Sequence, residues 1–504
     1  MRCLHCSGLS GPAIALLAAA ILWPFPSGAQ EFHIRGGIAP YQVFQRGADN
    51  RASFHLTGTA DAALEGRRVE VRVASQEGAP LRGFDWKLLD GRVRAGEWEG
   101  EIRGVPVGGP YRVEARIAGL AGAADRVEHV LVGDLWVLAG QSNMLGYGNL
   151  ADVQPPVDVV HSFDMAYNWV IAKDPLHKPR SAADRVHWPK NDNGEPERWT
   201  RQREDALIAR IGKGAGLGLP FAVALYRRSG VPIGLIPCAH GGTSMDQWSP
   251  ALKDKGGDSL YGATILRISA TGGRVKGILW YQGEADASLK TVAGFEEKFE
   301  NLVNSFRKDL GQPVLPFYFV QIGRYVNDPL DKSYWNQVQE LQRQSEMKLK
   351  NVSMAASIDL DLDDEIHIST PDLKRLGRRL ALLAAKDLFG EDPRNAAIRR
   401  GPRPVSARLD KGTITLQLAD VNGKLVSDGR ISGFTVQDAK GNPIAAIYKS
   451  RFDPANPSLI YLDIARKLPE GATLQYGAGK DPYCNVRDTS DMALAAFGPI
   501  VIAR

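Results

Sequence analysis

In Leu135-Trp136-Val137-Leu138-Ala139-Gly140-Gln141-Ser142-Asn143-Met144, five apolar residues framed by Gly133-Asp134 and Gly140 run directly into a serine. A short apolar run bounded by turn residues predicts a buried strand. Ser142 then follows the carboxyl end of that strand, where open α/β sheets place their ligands. Far downstream, Asp364-Glu365-Ile366-His367 offers an acid and an imidazole three residues apart. A hydroxyl, a base and a carboxylate to orient the base are the parts that nucleophilic acyl transfer needs.

Outward from this strand the chain keeps one grammar. Predicted strands at 135–139, 232–238, 277–281, 316–322 and 353–358 alternate with helical patterns. The clearest helix, over 292–310, puts Phe295, Phe299, Leu302, Val303 and Phe306 on one face. Another is expected over 373–388. The alternation predicts an α/β domain with a mostly parallel sheet covered by helices, over 131–395. Residues 31 to about 130 instead alternate in short runs such as Val69-Glu70-Val71-Arg72-Val73, punctuated by Gly and Pro. They predict an N-terminal β domain over 30–130. After Asp392-Pro393 the β pattern returns, with a turn at Asn422-Gly423, and predicts a C-terminal β domain over 400–504. Residues 172–205 carry Pro, Asp, Arg and Trp without a period and read as a long surface insertion, a candidate neighbour of the site.

The N-terminus reads as a leader over 1–29: Arg2, an apolar stretch from Ile14 to Leu22, then the small-residue site Ser27-Gly28-Ala29. The stretch is too short to predict a membrane anchor. An exported protein, periplasmic or extracellular, is expected. Cys238 and Cys484 lie too far apart to make a disulfide framework, and separate buried thiols are expected. Net charge is +5 over 504 residues with no basic stripe, so no nucleic-acid partner is expected.

Taken singly, each motif has an ordinary structural explanation. Ser142 alone reads as a turn serine, and it lacks the Gly-x-Ser-x-Gly elbow. Gly241-Gly242-Thr243-Ser244 could be a plain turn, or glycines that bring backbone N–H groups close to an oxyanion. Trp280-Tyr281-Gln282-Gly283-Glu284 supplies an amide donor in Gln282 and a second carboxylate in Glu284, while Trp280 and Tyr281 read as core. His240 reads as structural. The acidic run Asp359, Asp361, Asp363, Asp364 lacks the glycine and spacing of a calcium loop, and no metal is expected. Gly212-Lys213-Gly214-Ala215-Gly216 lacks the Walker order and reads as the approach to a helix over 219–228.

Strand ends carrying Ser142, Gly242, Gln282 and Asp364 with His367 are together far more specific than any one of them. The set resembles the SGNH-hydrolase superfamily, and within it the sialate O-acetylesterase-like carbohydrate esterases. The resemblance rests on 132–144, 241–248, 280–284 and 364–367 and extends into both flanking β regions. It implies a three-layer α/β/α esterase domain. It places the nucleophile on Ser142, the base on His367 and the orienting acid on Asp364; Glu284, also near the sheet's end, remains the alternative acid from the residues themselves. Oxyanion donors fall on the backbone of Ser142 and Gly242 and on the Gln282 side chain. No cofactor is implied, and the substrate would be an acetylated carbohydrate.

Two rivals remain at this point: an esterase or lipase acting on non-sugar acyl esters, and a glycan-binding protein without catalysis. Trp248, just after the Gly242 loop, is a candidate substrate-binding aromatic, with Trp188 and Trp199 of the insertion. If a neutral histidine is the base, turnover should rise through roughly pH 6 to 7.

Overall fold

The computed structural model describes residues 31–326 and 333–504. The leader expected over 1–29 lies outside them. No helix of the described residues is long and apolar enough to cross a membrane.

Ser142 follows a strand much longer than the apolar run predicts, Leu120–Gly140, with 21 residues. Its first half pairs antiparallel with Gly108–Ile117, and its second half enters the middle of the α/β sheet. The boundary expected at 130/131 therefore falls inside one continuous strand. Residues 120–130 belong to the β pattern and 133–140 to the parallel one, and no turn separates them.

The sheet through this strand has eleven members. Its main path runs Trp169–Ile171, Val160–Phe163, Ile233–Pro237, Leu120–Gly140, Gly277–Tyr281, Phe317–Val320, Val352–Ala355. From Val160–Phe163 to Val352–Ala355 every neighbour is parallel. Trp169–Ile171 is antiparallel at one edge, Val43–Gln45 adds to Leu120–Gly140 in parallel, and Arg68–Ser75 with Lys87–Arg92 joins antiparallel through Gly108–Ile117. The sheet as a whole is mixed rather than mostly parallel, because the N-terminal β strands are hydrogen-bonded into it.

Burial explains the apolar runs. Ile233–Pro237, Gly277–Tyr281, Phe317–Val320 and Val352–Ala355 are buried at every position. Parallel strands covered on both faces need continuous rather than alternating hydrophobicity. Helix Phe295–Asp309 buries Phe295, Phe299, Leu302, Val303 and Phe306, the face its periodicity marks. Helices Gly218–Ser229 and Thr370–Leu388 pack together, and further helices span Leu260–Ala270 and Ser333–Lys348.

Three apolar clusters form. One fills the α/β layers, one lies among the N-terminal strands around Phe54, Val73 and Val113, and one lies among the C-terminal strands around Leu416, Leu462 and Leu474. Charged groups tie the last to the first. Arg403 pairs with Glu346 at 2.7 Å, and buried Arg379 reaches Asp359 at 2.6 Å and Asp491 at 3.4 Å. Cys238 and Cys484 are separate buried thiols.

Candidate active site

Chain order and sheet order part company at Leu120–Gly140. The next strand of this sheet in sequence, Val160–Phe163, lies one place beyond Ile233–Pro237, and the strands from Gly277–Tyr281 onward continue on the opposite side. Such a switch point opens a crevice at the carboxyl ends of the strands. Three loops meet there. Register pairs Pro237 with Leu138 and Tyr281 with Gly140, so the segments after residues 140, 238 and 281 leave the sheet side by side. Gly140 is required for this approach. Its φ is +128°, and a Cβ there would run into the Tyr281 backbone.

A cleft of about 630 Å³ opens over these loops, lined by Ser142, Gly241, Gly242, Glu284 and His367 among others. Ser142 starts the short helix Ser142–Leu145 and is half-buried. A Cβ placed on Gly241 would lie 3.9 Å from the Ser142 Cβ, so the glycine loop faces the serine. Gly242 has φ +69° and open space where a Cβ would be, so backbone conformation rather than crowding calls for glycine.

His367 reaches the cleft from the loop after the edge strand Val352–Ala355. Its Nδ1 stands 2.9 Å from both carboxylate oxygens of Asp364. Asp364 Oδ1 also accepts from the backbone N–H of Ile366 at 3.1 Å and of His367 at 2.9 Å. Oδ2 accepts from the Lys213 ammonium at 2.6 Å. Burial works to raise this carboxyl. The Lys213 ammonium and then the His367 ring and backbone donors outweigh it and hold the group well below the usual carboxylate range. Tyr147 stacks on the His367 ring, centroids 4.4 Å apart.

Glu284 does not take the orienting position. Its Oε1 accepts from Asn143 Nδ2 at 2.9 Å, and its Oε2 is buried without a hydrogen-bond partner among the described residues. Burial pushes this carboxyl up to about 7. Asn143 joins the serine loop to the histidine loop. Its Nδ2 also lies 3.3 Å from the Ile366 carbonyl, and its Oδ1 accepts from Ile368 N–H at 3.1 Å.

Two expected contacts with substrate are corrected. The Gln282 side chain is fully buried and outside the cleft lining. Its amide donates to the Thr243 carbonyl at 3.1 Å and to Asp286 at 2.5 Å. Asp286 in turn accepts from Met245 N–H at 2.8 Å. Gln282 therefore braces the Gly242 loop from behind, because both amide hydrogens are committed there. Trp248 is also fully buried. Its indole donates to Thr243 Oγ1 at 3.0 Å and packs edge-on against Trp280, so it is a core residue.

The acidic run is divided among separate partners. Asp359 meets Arg375 and Arg379, Asp361 meets Arg324, and Asp363 accepts from the backbone of Asn149 and Thr370.

The insertion forms one wall of the cleft through His177, Arg180, His187, Trp188 and Glu204. Trp199 lies under the Arg203 guanidinium instead, 3.9 Å away. His187 and His240 meet Nδ1 to Nδ1 at 3.0 Å, a pair the sequence does not announce across 53 positions. Burial lowers both imidazoles, His187 far below its ordinary value. One neutral ring donates and the other accepts.

A family model described as carbohydrate esterase, sialic acid-specific acetylesterase, matches residues 132–386. The chain belongs to this family. It is thereby a carboxylic ester hydrolase of the carbohydrate O-acetylesterase kind. A probable carbohydrate esterase of Arabidopsis thaliana is 30% identical over 262 residues, covering 49% of this chain and 88% of that protein. The sialate O-acetylesterase of Homo sapiens is 24% identical over 370 residues, 66% of this chain and 68% of that protein. Among solved structures, a carbohydrate acetylesterase from Xanthomonas citri superposes with a TM-score of 0.61 at 22% identity, covering 92% of this chain and 99% of that one. That last likeness is one of fold.

Proposed function

We propose that the chain is an exported serine esterase that removes O-acetyl groups from a carbohydrate, with Ser142 as nucleophile, His367 as base and Asp364 as orienting acid. The observation that carries this reading is the His367 Nδ1, 2.9 Å from both oxygens of Asp364 on a ring that lines one cleft with Ser142. With Nδ1–H donated to the carboxylate, the lone pair on Nε2 is free to accept a proton.

The Ser142 Oγ attacks the acetyl carbonyl carbon while His367 takes its proton. The carbonyl oxygen becomes the oxyanion, received by the backbone N–H groups of Ser142 and Gly242. Asp364 stabilises the imidazolium. Collapse breaks the ester C–O bond, His367 returns the proton to the departing sugar oxygen, and an acetyl-enzyme remains. Water attacks the acetyl carbon with His367 again as base; collapse breaks the bond from Ser142 Oγ to the acetyl carbon, His367 returns its proton to that Oγ, and acetate leaves.

The wall from the insertion suits a sugar. Trp188 offers an aromatic face, and Arg180 offers a guanidinium to an acidic sugar's carboxylate. Export is inferred from the apolar stretch 14–22 followed by Ser27-Gly28-Ala29. A periplasmic or extracellular location would give access to glycans.

Acetate release is to be measured across acetylated sialosides, xylans, xyloglucans and pectins, beside octanoyl aryl esters. Higher kcat/KM for at least one acetylated glycan is the expected result. Preference for the octanoyl esters would favour the lipase-like rival, and no turnover of any ester would favour a glycan-binding protein.

A further inference from the structure

Lys213 sits in a glycine-rich stretch that reads as the approach to a helix, yet among the described residues its head group is the one hydrogen-bond donor to Asp364 from a distant part of the chain. It lies on Lys213–Ala215, which pairs antiparallel with Gly148–Asn149, Lys213 opposite Asn149. That small ribbon is fastened to the histidine loop. Asn149 N–H donates to Asp363 at 2.7 Å, and Thr370 Oγ1 donates to the Asn149 carbonyl. The backbone of Lys213 is thus fixed independently of its side chain. The ammonium meets Asp364 Oδ2 at 2.6 Å and the Asp363 carbonyl at 3.4 Å. That same Oδ2 is 2.9 Å from His367 Nδ1.

We propose that Lys213 is a positioning residue of the esterase: its ammonium locks the Asp364 carboxylate against His367, and its charge keeps the imidazole unprotonated into more acidic solution. This rests on the reading of His367 as base.

The sign follows from charge. Asp364 alone favours imidazolium, which would make His367 a poor base in mild acid. A cation on Oδ2, an oxygen that the ring also meets, offsets part of that attraction without removing the hydrogen bond that orients the ring. Other groups around the ring do not supply this effect. Tyr147 stacks on it, Asp363 is engaged by Asn149 and Thr370, and Glu365 is exposed. Glu284 is held by Asn143, while Arg180, His187 and His240 line the insertion side of the cleft. An exposed ion pair would be worth little. Lys213 and Asp364 are both partly buried, and a second bonded partner makes their geometry matter.

The test is the pH dependence of kcat/KM for acetyl ester hydrolysis in Lys213→Met, Lys213→Gln and Lys213→Arg. In the Met and Gln variants kcat should fall about ten- to a hundredfold, the cost of a slightly misplaced catalytic group. KM should stay unchanged, and the acid limb should move to higher pH by about one unit, the scale of one screened charge nearby. Lys213→Arg should restore the limb. An unmoved limb in whichever of the Met and Gln variants folds, or a raised KM with kcat intact, overturns the proposal, the latter because Lys213 would then be a substrate contact.

Failure of the serine reading is separable. Ser142→Ala reports on it directly, and the His367 ring protons can be titrated by NMR in Ser142→Ala with and without Lys213→Met. The double variant should protonate at higher pH whether or not the enzyme turns over. Coincident titrations would overturn the role of Lys213 alone.

Discussion

Asp364 and Glu284 are two carboxylates beside one cleft, and their surroundings drive them in opposite directions. Asp364 is met by the Lys213 ammonium, two backbone N–H groups and the His367 ring, and is held ionised. Glu284 is met by one amide, with its other oxygen sealed from solvent and unpartnered, and is raised to about 7. An orienting acid must be an anion facing the imidazole, and the first environment makes one. The second makes a carboxyl that stays protonated in mildly acidic solution. Donor count and burial, rather than nearness to the serine in sequence, separate the two roles.

The largest effect is expected from removing the nucleophile itself. Ser142→Ala should lower kcat on the order of 10⁴-fold or more while leaving thermal unfolding unchanged, since triad members act as a unit. Asp364→Asn should come close behind, roughly 10³- to 10⁴-fold, because the amide no longer selects the Nδ1–H tautomer. If Glu284→Gln is the more damaging of the two in equally folded protein, the roles assigned here are reversed.

A smaller effect is expected behind the glycine loop. Gln282→Ala strips the Thr243 carbonyl and Asp286 of a buried donor, costing about 1–3 kcal/mol of stability. Calorimetry should show the loss, and kcat should fall with it as the Gly242 loop loosens. A fall in kcat with unfolding unchanged would instead restore Gln282 as a donor into the cleft.

The smallest effect is on stability, and its sign distinguishes the two acids. The lowered carboxyl of Asp364 contributes stability that is present above the ordinary carboxylate range and lost as pH falls. The raised carboxyl of Glu284 does the reverse: its contribution is full below 4.5 and is lost as pH rises through about 7. Glu284→Gln should therefore unfold less readily than wild type above pH 7, by at most about 3 kcal/mol, and show no such advantage near pH 4. Denaturant titrations at the two pH values measure the difference. A larger advantage at pH 4 would mean that Glu284 is ionised in the fold.

Much of this arrangement was legible in the chain. The strand before Ser142, the strand 277–281 and the apolar face of 295–306 follow from burial, which writes itself into residue type at fixed periods. The loops after those strands could be named for the same reason. What was not legible depends on direction and distance. Gln282 has the chemistry of an oxyanion donor, but its amide turns inward to Thr243 and Asp286. Trp248 has the chemistry of a sugar platform, but lies buried against Trp280. Lys213 meets Asp364 across 151 positions, and no local pattern marks it. The boundary expected near 130 falls within one strand, which pairs antiparallel with Gly108–Ile117 in its first half and parallel with Ile233–Pro237 and Gly277–Tyr281 in its second, and alternation gives way to a continuous apolar run without a turn between.

The most direct test of the account is the site of covalent capture. The protein is treated with a fluorophosphonate, digested, and the labelled peptide sequenced by mass spectrometry, alongside Ser142→Ala. A single adduct on Ser142, absent from the variant and formed in step with loss of acetyl ester hydrolysis, is the predicted result. Inactivation with the adduct on another serine, or full labelling of Ser142→Ala, would contradict the assignment of the nucleophile and with it the cleft as the site of reaction.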